Sequence, residues 1–131
     1  MVGEVIEAGT GIGRNWLGKH VFSFQPHQTH FTTTSAQVSL LPAGITPEMG
    51  VFLPNIETAI NFAMDGRPVI GERAAVFGQG IVGLLTTALL SRFPLSSVMT
   101  LDKFPNRRAA SLEAGATNSF DPTSAIALAE V

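Results

Sequence analysis

Three glycines in the second half of the chain have the spacing of an anion-binding turn. Gly78, Gly80 and Gly83 form the pattern Gly-x-Gly-x-x-Gly. The first can adopt the angles of a tight turn, the second lacks a Cβ that would keep a pyrophosphate from the backbone, and the third permits close helix packing. The first N–H groups of a helix have no intrahelical partner and attract anions. The pattern therefore predicts a pyrophosphate-binding loop, whose remaining members are Gln79, Ile81 and Val82.

An acid further along the chain makes the prediction more specific. Asp102 ends the apolar run of residues 97–101 and follows the loop at about the 20-residue spacing of dinucleotide-binding units. Its carboxylate would accept hydrogen bonds from both hydroxyls of an adenine ribose and repel a 2′-phosphate, which favours NAD over NADP. Arg107 and Arg108 weaken that preference, because a nearby arginine can accommodate the phosphate.

The segments around these residues have the order that such a site requires. Residues 73–77 have the apolar character of a buried strand, residues 84–90 predict a helix that ends before Pro94, and residues 97–101 predict a second strand. The alternative is a tight strand–helix turn that binds nothing, and the surrounding order favours nucleotide binding. Three further elements are expected: a helix over 105–114, a strand over 117–120 and a helix over 123–131.

The first third of the chain predicts β-structure. Strands are expected over residues 2–7, 18–24 and, as one or two strands, 29–41. The pattern then changes to helix, since Thr46 is a good N-cap residue and Pro47 suits the first helical position. We expect Pro54 to break this helix and a second helix to run from residue 55 or 57 to residue 64.

Composition excludes several classes of protein. The chain has 131 residues, 45% of them hydrophobic and 14% charged, which is ample for a packed core and excludes a disordered chain. A net charge of −2 gives no electrostatic reason for binding nucleic acid or a membrane. The absence of cysteine excludes disulfides and thiolate zinc sites, and no signal peptide is evident. A cytoplasmic location is expected.

Other groups with potential chemistry are less favourable. His27 and His30 have i, i+3 spacing, which in a strand places the two side chains on opposite faces, so loop or solvent-facing positions are the favoured interpretation. Glu57 and Asp65 lie more than two helical turns apart, about 12 Å, which is too far for a coupled carboxylate pair. No catalytic residue is assigned, and no metal ligand is predicted.

The order of several motifs resembles that of the medium-chain dehydrogenase/reductase superfamily, in particular its zinc-type alcohol dehydrogenase-like members. The matching motifs are residues 2–5, 18–21, 41–44, 58–59, 78–83 and 113–117. The resemblance implies an α/β fold with a partial GroES-like β domain over residues 1–44. Residues 45–131 would then form connecting helices and the first half, βαβαβ, of a Rossmann doubly wound parallel sheet.

Against the family's plan, the chain is expected to be a fragment. It lacks counterparts of the N-terminal zinc-ligand region and of the C-terminal half of the Rossmann domain. Zinc belongs to the family, but its cysteine and Gly-His-Glu ligand motifs are not found here. The far edge of the strand over residues 74–77 would be uncovered, which predicts a homo-oligomer or self-association.

The resemblance implies an NAD(P)-dependent oxidoreductase that transfers a hydride between a nicotinamide and an alcohol or carbonyl. The isolated chain is expected to be inactive, and the alternative is a non-catalytic nucleotide-binding or structural module. NAD is the expected cofactor, and NADP is less favoured. The predicted cofactor-binding residues are completed by Thr58, Lys103 and Arg107.

Overall fold

A computed structural model describes residues 1–124 and divides the chain into two compact units. The first unit is Met1–Leu53, and the second begins at Pro54. The sequence predicted a different division, between residues 44 and 45, which follows the two domains of the family it resembles, and this boundary stays a prediction. In the described part of the chain, no helix is both long and apolar enough to cross a bilayer. The helix expected over 123–131 lies almost wholly outside the described residues.

The first unit contains a small antiparallel sheet and a short helix. Strand β2 lies between β1 and β3, with Val2 opposite Phe22 and Val21 opposite Leu40. Val21 and Phe22 are buried, so the middle strand forms the centre of this unit. The elements are β1 (Val2–Glu4), β2 (His20–Phe22), β3 (Ser39–Leu40) and α1 (Pro47–Gly50).

The helix start at Thr46 is confirmed, but the predicted strands were too long. The Thr46 hydroxyl accepts a hydrogen bond from the Met49 N–H at 3.3 Å. The strand or strands expected over residues 29–41 reduce to β3, preceded by a 3₁₀ turn at Ser35–Gln37. Strand propensity depends on a partner strand and a covered face, and residues 27–30 are exposed.

The second unit is a three-stranded parallel sheet with its helices. The strand order is β4-β5-β6, with Ala74 opposite Val98 and Thr100 opposite Ser119. This is the predicted βαβαβ order, and the α/β fold class is confirmed. The elements are α2 (Leu53–Gly66), β4 (Arg73–Phe77), α3 (Ile81–Leu90), β5 (Ser97–Leu101), α4 (Pro105–Glu113) and β6 (Asn118–Phe120).

The start of α2 differs from expectation. Pro54 does not break a helix but lies in the first turn of α2. There its missing N–H removes no hydrogen bond, because the first N–H groups of a helix have no intrahelical acceptor. Helix α3 begins at Ile81, immediately after the second glycine of the loop. Its N-terminus therefore lies directly at the predicted binding loop, as expected.

The core of this unit lies between the sheet and its helices. Ala63 of α2, Leu90 of α3 and Val98 of β5 are buried together, and Ala74 and Val76 of β4 pack against them. Strand β5 is almost fully buried because it has a neighbouring strand on each side.

Strand β4 does not have the buried character expected of residues 73–77. It has one strand partner within residues 1–124, and its exposure alternates along the strand. Phe77 at its end is 67% exposed. The apolar composition of the strand reflects one covered face, while the opposite face and one edge remain open in the described residues.

Three hydroxyls, two of them fully buried, hold α4 against the sheet. The Thr100 hydroxyl lies 2.7 Å from both the Ser111 and the Ser119 hydroxyls, and these two are 3.0 Å apart. Thr100 and Ser111 are fully buried. A buried polar cluster is tolerated because its members are hydrogen-bonded to one another. It joins the C-terminal half of α4 to β5 and β6.

Candidate nucleotide-binding site

The first glycine of the loop makes the tight turn that follows β4. Gly78 has a φ of 85°, in the left-handed region that favours glycine. Its N–H donates to the Leu101 carbonyl at 2.7 Å, which ties the turn to the end of β5. Residues with a side chain are strained at this angle, so the predicted role of Gly78 in the turn is confirmed.

The second glycine leaves an open space at the helix start. Gly80 is the N-cap of α3, and a Cβ built on it would meet no atom within 4 Å. Its φ of −75° suits any L-residue, so no local strain requires glycine here. The carbonyl of Gly80 accepts from Leu84 at 2.9 Å, while the first-turn N–H groups of α3 have no intrahelical acceptor. The backbone beside Gly80 is therefore accessible to a ligand.

The third glycine is required by close packing within the loop. A Cβ on Gly83 would overlap the carbonyl oxygen of Gly78 and lie 2.9 Å from its carbonyl carbon. The first turn of α3 therefore rests directly on the turn that follows β4. The sequence predicted close packing at Gly83 against the strands, and the contact is with the loop backbone itself.

These glycines form part of the wall of an open groove of about 400 Å³. The rest of the wall is mostly apolar and includes Phe62 of α2 and the end of β4. The lining residues are Phe62, Val76, Phe77, Gly78, Gly80, Ile81, Val82, Gly83 and Thr86. The groove combines apolar surface with the donors of a helix N-terminus, which is the usual composition of a small-molecule site.

Phe62 was missed by the sequence analysis, which selected Thr58 on the same helix. The Thr58 hydroxyl donates to the Pro54 carbonyl at 3.0 Å, within α2. Thr58 does not line the groove, but Phe62 follows it by four residues and therefore lies on the same helix face. That i, i+4 spacing was the signal from which Phe62 could have been found.

Asp102 is joined to the loop by hydrogen bonds. Its carboxylate accepts hydrogen bonds from the Gln79 N–H at 2.7 Å and from the Phe104 N–H at 2.8 Å. Asp102 is 6% exposed. The Phe104 N–H, then the Gln79 N–H and the charge of Arg107, hold the pKa of Asp102 below its usual value. Each carboxylate oxygen has a second lone pair, so Asp102 keeps capacity for ribose hydroxyls.

Arg107 and Lys103 lie at the solvent side of Asp102. The Arg107 guanidinium is 3.7 Å from the Asp102 carboxylate and 4.9 Å from the centre of the Phe104 ring. Its side chain is 47% exposed, so it can turn toward a ligand. Lys103 is exposed and follows Asp102 in the chain. The predicted basic residues are therefore close to the acid.

Arg108 has a different environment from Arg107. It donates to the carbonyls of Asp102 at 2.8 Å and Lys103 at 3.0 Å, and to the Asp121 carboxylate at 3.3 Å. The Thr123 hydroxyl, more than Arg108, keeps the pKa of Asp121 below its usual value. Arg108 thus holds the backbone around Asp102, whereas Arg107 faces solvent.

The Gln79 side chain lies inside the protein. It is fully buried, its amide nitrogen donates to the Val76 carbonyl at 3.2 Å, and its amide oxygen accepts from the Thr87 hydroxyl at 3.0 Å. Thr87 is also fully buried. The sequence placed Gln79 in the loop but contained no signal for this direction of its side chain.

The remaining candidate groups are dispersed. His27 and His30 lie in an exposed irregular segment, in agreement with the favoured interpretation. Glu57 and Asp65 are exposed on α2, as predicted. Among residues 1–124 no three His, Cys, Asp or Glu side chains are placed to hold a metal ion. The described residues therefore do not fit a zinc site.

Comparison with known proteins finds dehydrogenases. No protein-family model matches the chain. Sorbitol dehydrogenase 1 of Saccharomyces cerevisiae is 32% identical over 81 residues, which are 62% of this chain and 23% of the relative. The D-xylulose reductase of Scheffersomyces stipitis is 30% identical over 82 residues, again 62% of this chain and 23% of the relative. The chain spans about a quarter of the length of these relatives.

Solved structures share the fold over nearly the whole chain. An Escherichia coli alcohol dehydrogenase complexed with NADH has a TM-score of 0.73 at 16% identity, covering 98% of this chain and 48% of its own. At such identity the likeness shows the fold alone. Together with the sequence relatives, it confirms the resemblance of this chain to the medium-chain dehydrogenase/reductase superfamily.

Proposed function

We propose that the chain binds the adenosine and pyrophosphate part of a nicotinamide dinucleotide. The observation that carries this proposal is the open space at Gly80. It lies at the N-terminus of α3, and the residue before it, Gln79, donates its backbone N–H to the Asp102 carboxylate. A turn that binds nothing would have no need of glycine at Gly80, because neither its angles nor its surroundings exclude a side chain.

The proposed roles follow from the chemistry of each group. The backbone of the loop and the first turn of α3 would hold the pyrophosphate, with residues 78–83 around it. Asp102 would accept hydrogen bonds from the ribose hydroxyls. Lys103 and Arg107 are exposed cations that would contact the dinucleotide from solvent. Thr58 does not line the groove, so Phe62, on the same face of α2, would contact the dinucleotide in its place.

NAD is proposed over NADP because of the charge at Asp102. Its lowered pKa keeps the carboxylate ionised near neutral pH, so a 2′-phosphate would meet an anion. Arg107 reduces this selectivity without removing it, since its guanidinium is already 3.7 Å from the carboxylate. Among the structural relatives, the E. coli enzyme is complexed with NADH, whereas a mycobacterial protein is complexed with NADPH. The mycobacterial protein has a TM-score of 0.73 at 24% identity, covering 98% of this chain and 42% of its own.

The reaction proposed for the whole protein is oxidation of an alcohol or reduction of a carbonyl. The nicotinamide of the bound dinucleotide supplies the hydride chemistry. The residues of this chain would bind and orient the adenosine half of the dinucleotide. We propose that the isolated chain binds without turnover, because the described residues contain no assigned catalytic group. The non-catalytic binding module remains the alternative for the chain alone. A cytoplasmic location also stays a prediction.

Calorimetric titration of the full chain tests this function. We expect saturable binding of NADH and weaker binding of NADPH, and Asp102→Ala should weaken NADH binding more than NADPH binding. Arg92→Ala, a change of an exposed residue of the same unit outside the lining of the groove, is the control. No saturable binding of either dinucleotide at millimolar concentration would contradict the proposal. Turnover of simple alcohols with NAD would contradict the proposed inactivity of the chain.

A further inference from the structure

Gln79 joins three elements at the point where the dinucleotide is proposed to bind. Its side chain bonds to the Val76 carbonyl of β4 and to the Thr87 hydroxyl of α3. Its backbone N–H bonds to the Asp102 carboxylate beyond β5. One residue therefore connects the strand before the loop, the helix after it and the acid proposed to hold the ribose.

The neighbours of Gln79 increase the importance of these contacts. It lies between Gly78 and Gly80, and glycine has more backbone freedom than any other residue. A loop with glycine on both sides of one residue loses much conformational entropy when it is ordered. The buried amide of Gln79 restricts the loop at its centre, so the direction of the backbone N–H toward Asp102 depends on where the amide is held.

We infer that Gln79 and Thr87 form a positioning pair, in which the buried amide–hydroxyl hydrogen bond holds the glycine loop and Asp102 in the arrangement that receives the dinucleotide. This inference rests on the proposed function for its ligand. The Gln79 side chain is fully buried and is not among the residues that line the groove, so it acts through the backbone. Preorganisation of this kind raises affinity because less order must be created on binding.

Single and double substitutions separate positioning from stability. Gln79→Met keeps the approximate volume but removes the amide, and Thr87→Val keeps the shape but removes the hydroxyl. Each single change leaves a buried partner unsatisfied, whereas the double variant removes both members of the bond and should recover most of the stability. Thr87→Ser is the matched control, because it keeps the hydroxyl that donates to Gln79.

The test measures unfolding temperature and NADH affinity for the four variants in the full chain. We expect both single variants to bind NADH about five- to tenfold more weakly, the value of one net hydrogen bond, and Thr87→Ser to bind as wild type does. The double variant should regain unfolding temperature but not affinity. If affinity returns together with stability, or if folded Gln79→Met binds as wild type does, the inference is wrong.

A measurement without ligand distinguishes failure of this inference from failure of the proposed function. By NMR, the backbone N–H of residue 79 should exchange faster in the double variant than in wild type. The Asp102 carboxyl should titrate at higher pH in the double variant. If wild type binds no NADH, the proposed function fails, and these two measurements still decide the role of the pair. Unchanged exchange and titration in Thr87→Val, which does not alter residue 79, would overturn it.

Discussion

Substitutions at Gly80 and Gly83 should change different properties of the chain. Gly80→Ala should weaken ligand binding, whereas Gly83→Ala should lower stability. An alanine at Gly80 has an allowed φ of −75° and no atom within 4 Å of its Cβ. Gly→Ala at a compatible position stabilises by about 0.4–1 kcal/mol, so the unfolding temperature should be unchanged or slightly raised. An alanine at Gly83 overlaps the Gly78 carbonyl and forces α3 away from the loop. Overpacking of this kind costs about 1–3 kcal/mol.

The expected changes in affinity and in unfolding temperature can be given magnitudes. At Gly80 the new Cβ occupies the space proposed for the pyrophosphate, which should remove at least one hydrogen bond to a charged group. Such a bond contributes about 1.5–3 kcal/mol, so NADH should bind roughly ten- to a hundredfold more weakly. Gly83→Ala should lower the unfolding temperature by roughly 4–12 °C, at about 4 °C per kcal/mol for a domain near this size.

Thermal unfolding monitored by circular dichroism and calorimetric titration with NADH measure these two effects. Gly80→Val extends the series, because its larger side chain should abolish binding while the extended backbone angles of position 80 still accommodate it. The reasoning is refuted if Gly80→Ala binds NADH as tightly as wild type does. It is also refuted if Gly83→Ala is as stable as wild type, because the close contact with Gly78 would then be absent.

Two further predictions concern pH and assembly. The pKa of Asp102 is lowered in the folded state, so its contribution to stability is present above the ordinary carboxyl pKa near 4 and is lost as pH falls through the folded-state value. The difference in unfolding temperature between wild type and Asp102→Asn should therefore shrink from about pH 7 to about pH 3, and a constant difference would contradict this. Within residues 1–124 one edge of β4 has no strand partner, and Phe77 at its end is 67% exposed, which predicts self-association. Light scattering after size exclusion should then give a mass above 13.8 kDa that Phe77→Lys lowers, and a monomeric wild-type chain would contradict this.

The sequence was most informative where one local rule decides the structure. Gly78 follows an apolar strand and precedes a helix, and the positive φ that this turn needs could be anticipated from its residue type. Thr46 and Pro47 similarly marked the start of α1. These predictions depended on backbone chemistry within a few residues, so no knowledge of distant contacts was needed.

Features that depend on distant contacts could not be predicted in the same way. The residues from 29 to 38 have strand propensity but lack a partner strand, and Pro54 is read as a breaker unless the helix is known to begin at Leu53. Phe62 enters the groove because of how α2 lies in its unit, and Gln79 turns inward because Thr87 is there to bond with it. Such side-chain directions follow from tertiary packing rather than local pattern.

Mapping of ADP-ribose binding by NMR tests the central claim most directly. With the full chain labelled with ¹⁵N, amide shifts on titration should be largest at Gly78, Gly80, Gly83 and the first turn of α3, with a second group at Asp102 and Phe104. The same titration of Gly80→Val should lose these shifts while the rest of its spectrum stays that of a folded chain. Saturable binding whose shifts fall outside this loop, or no shift at millimolar ADP-ribose, would contradict the account.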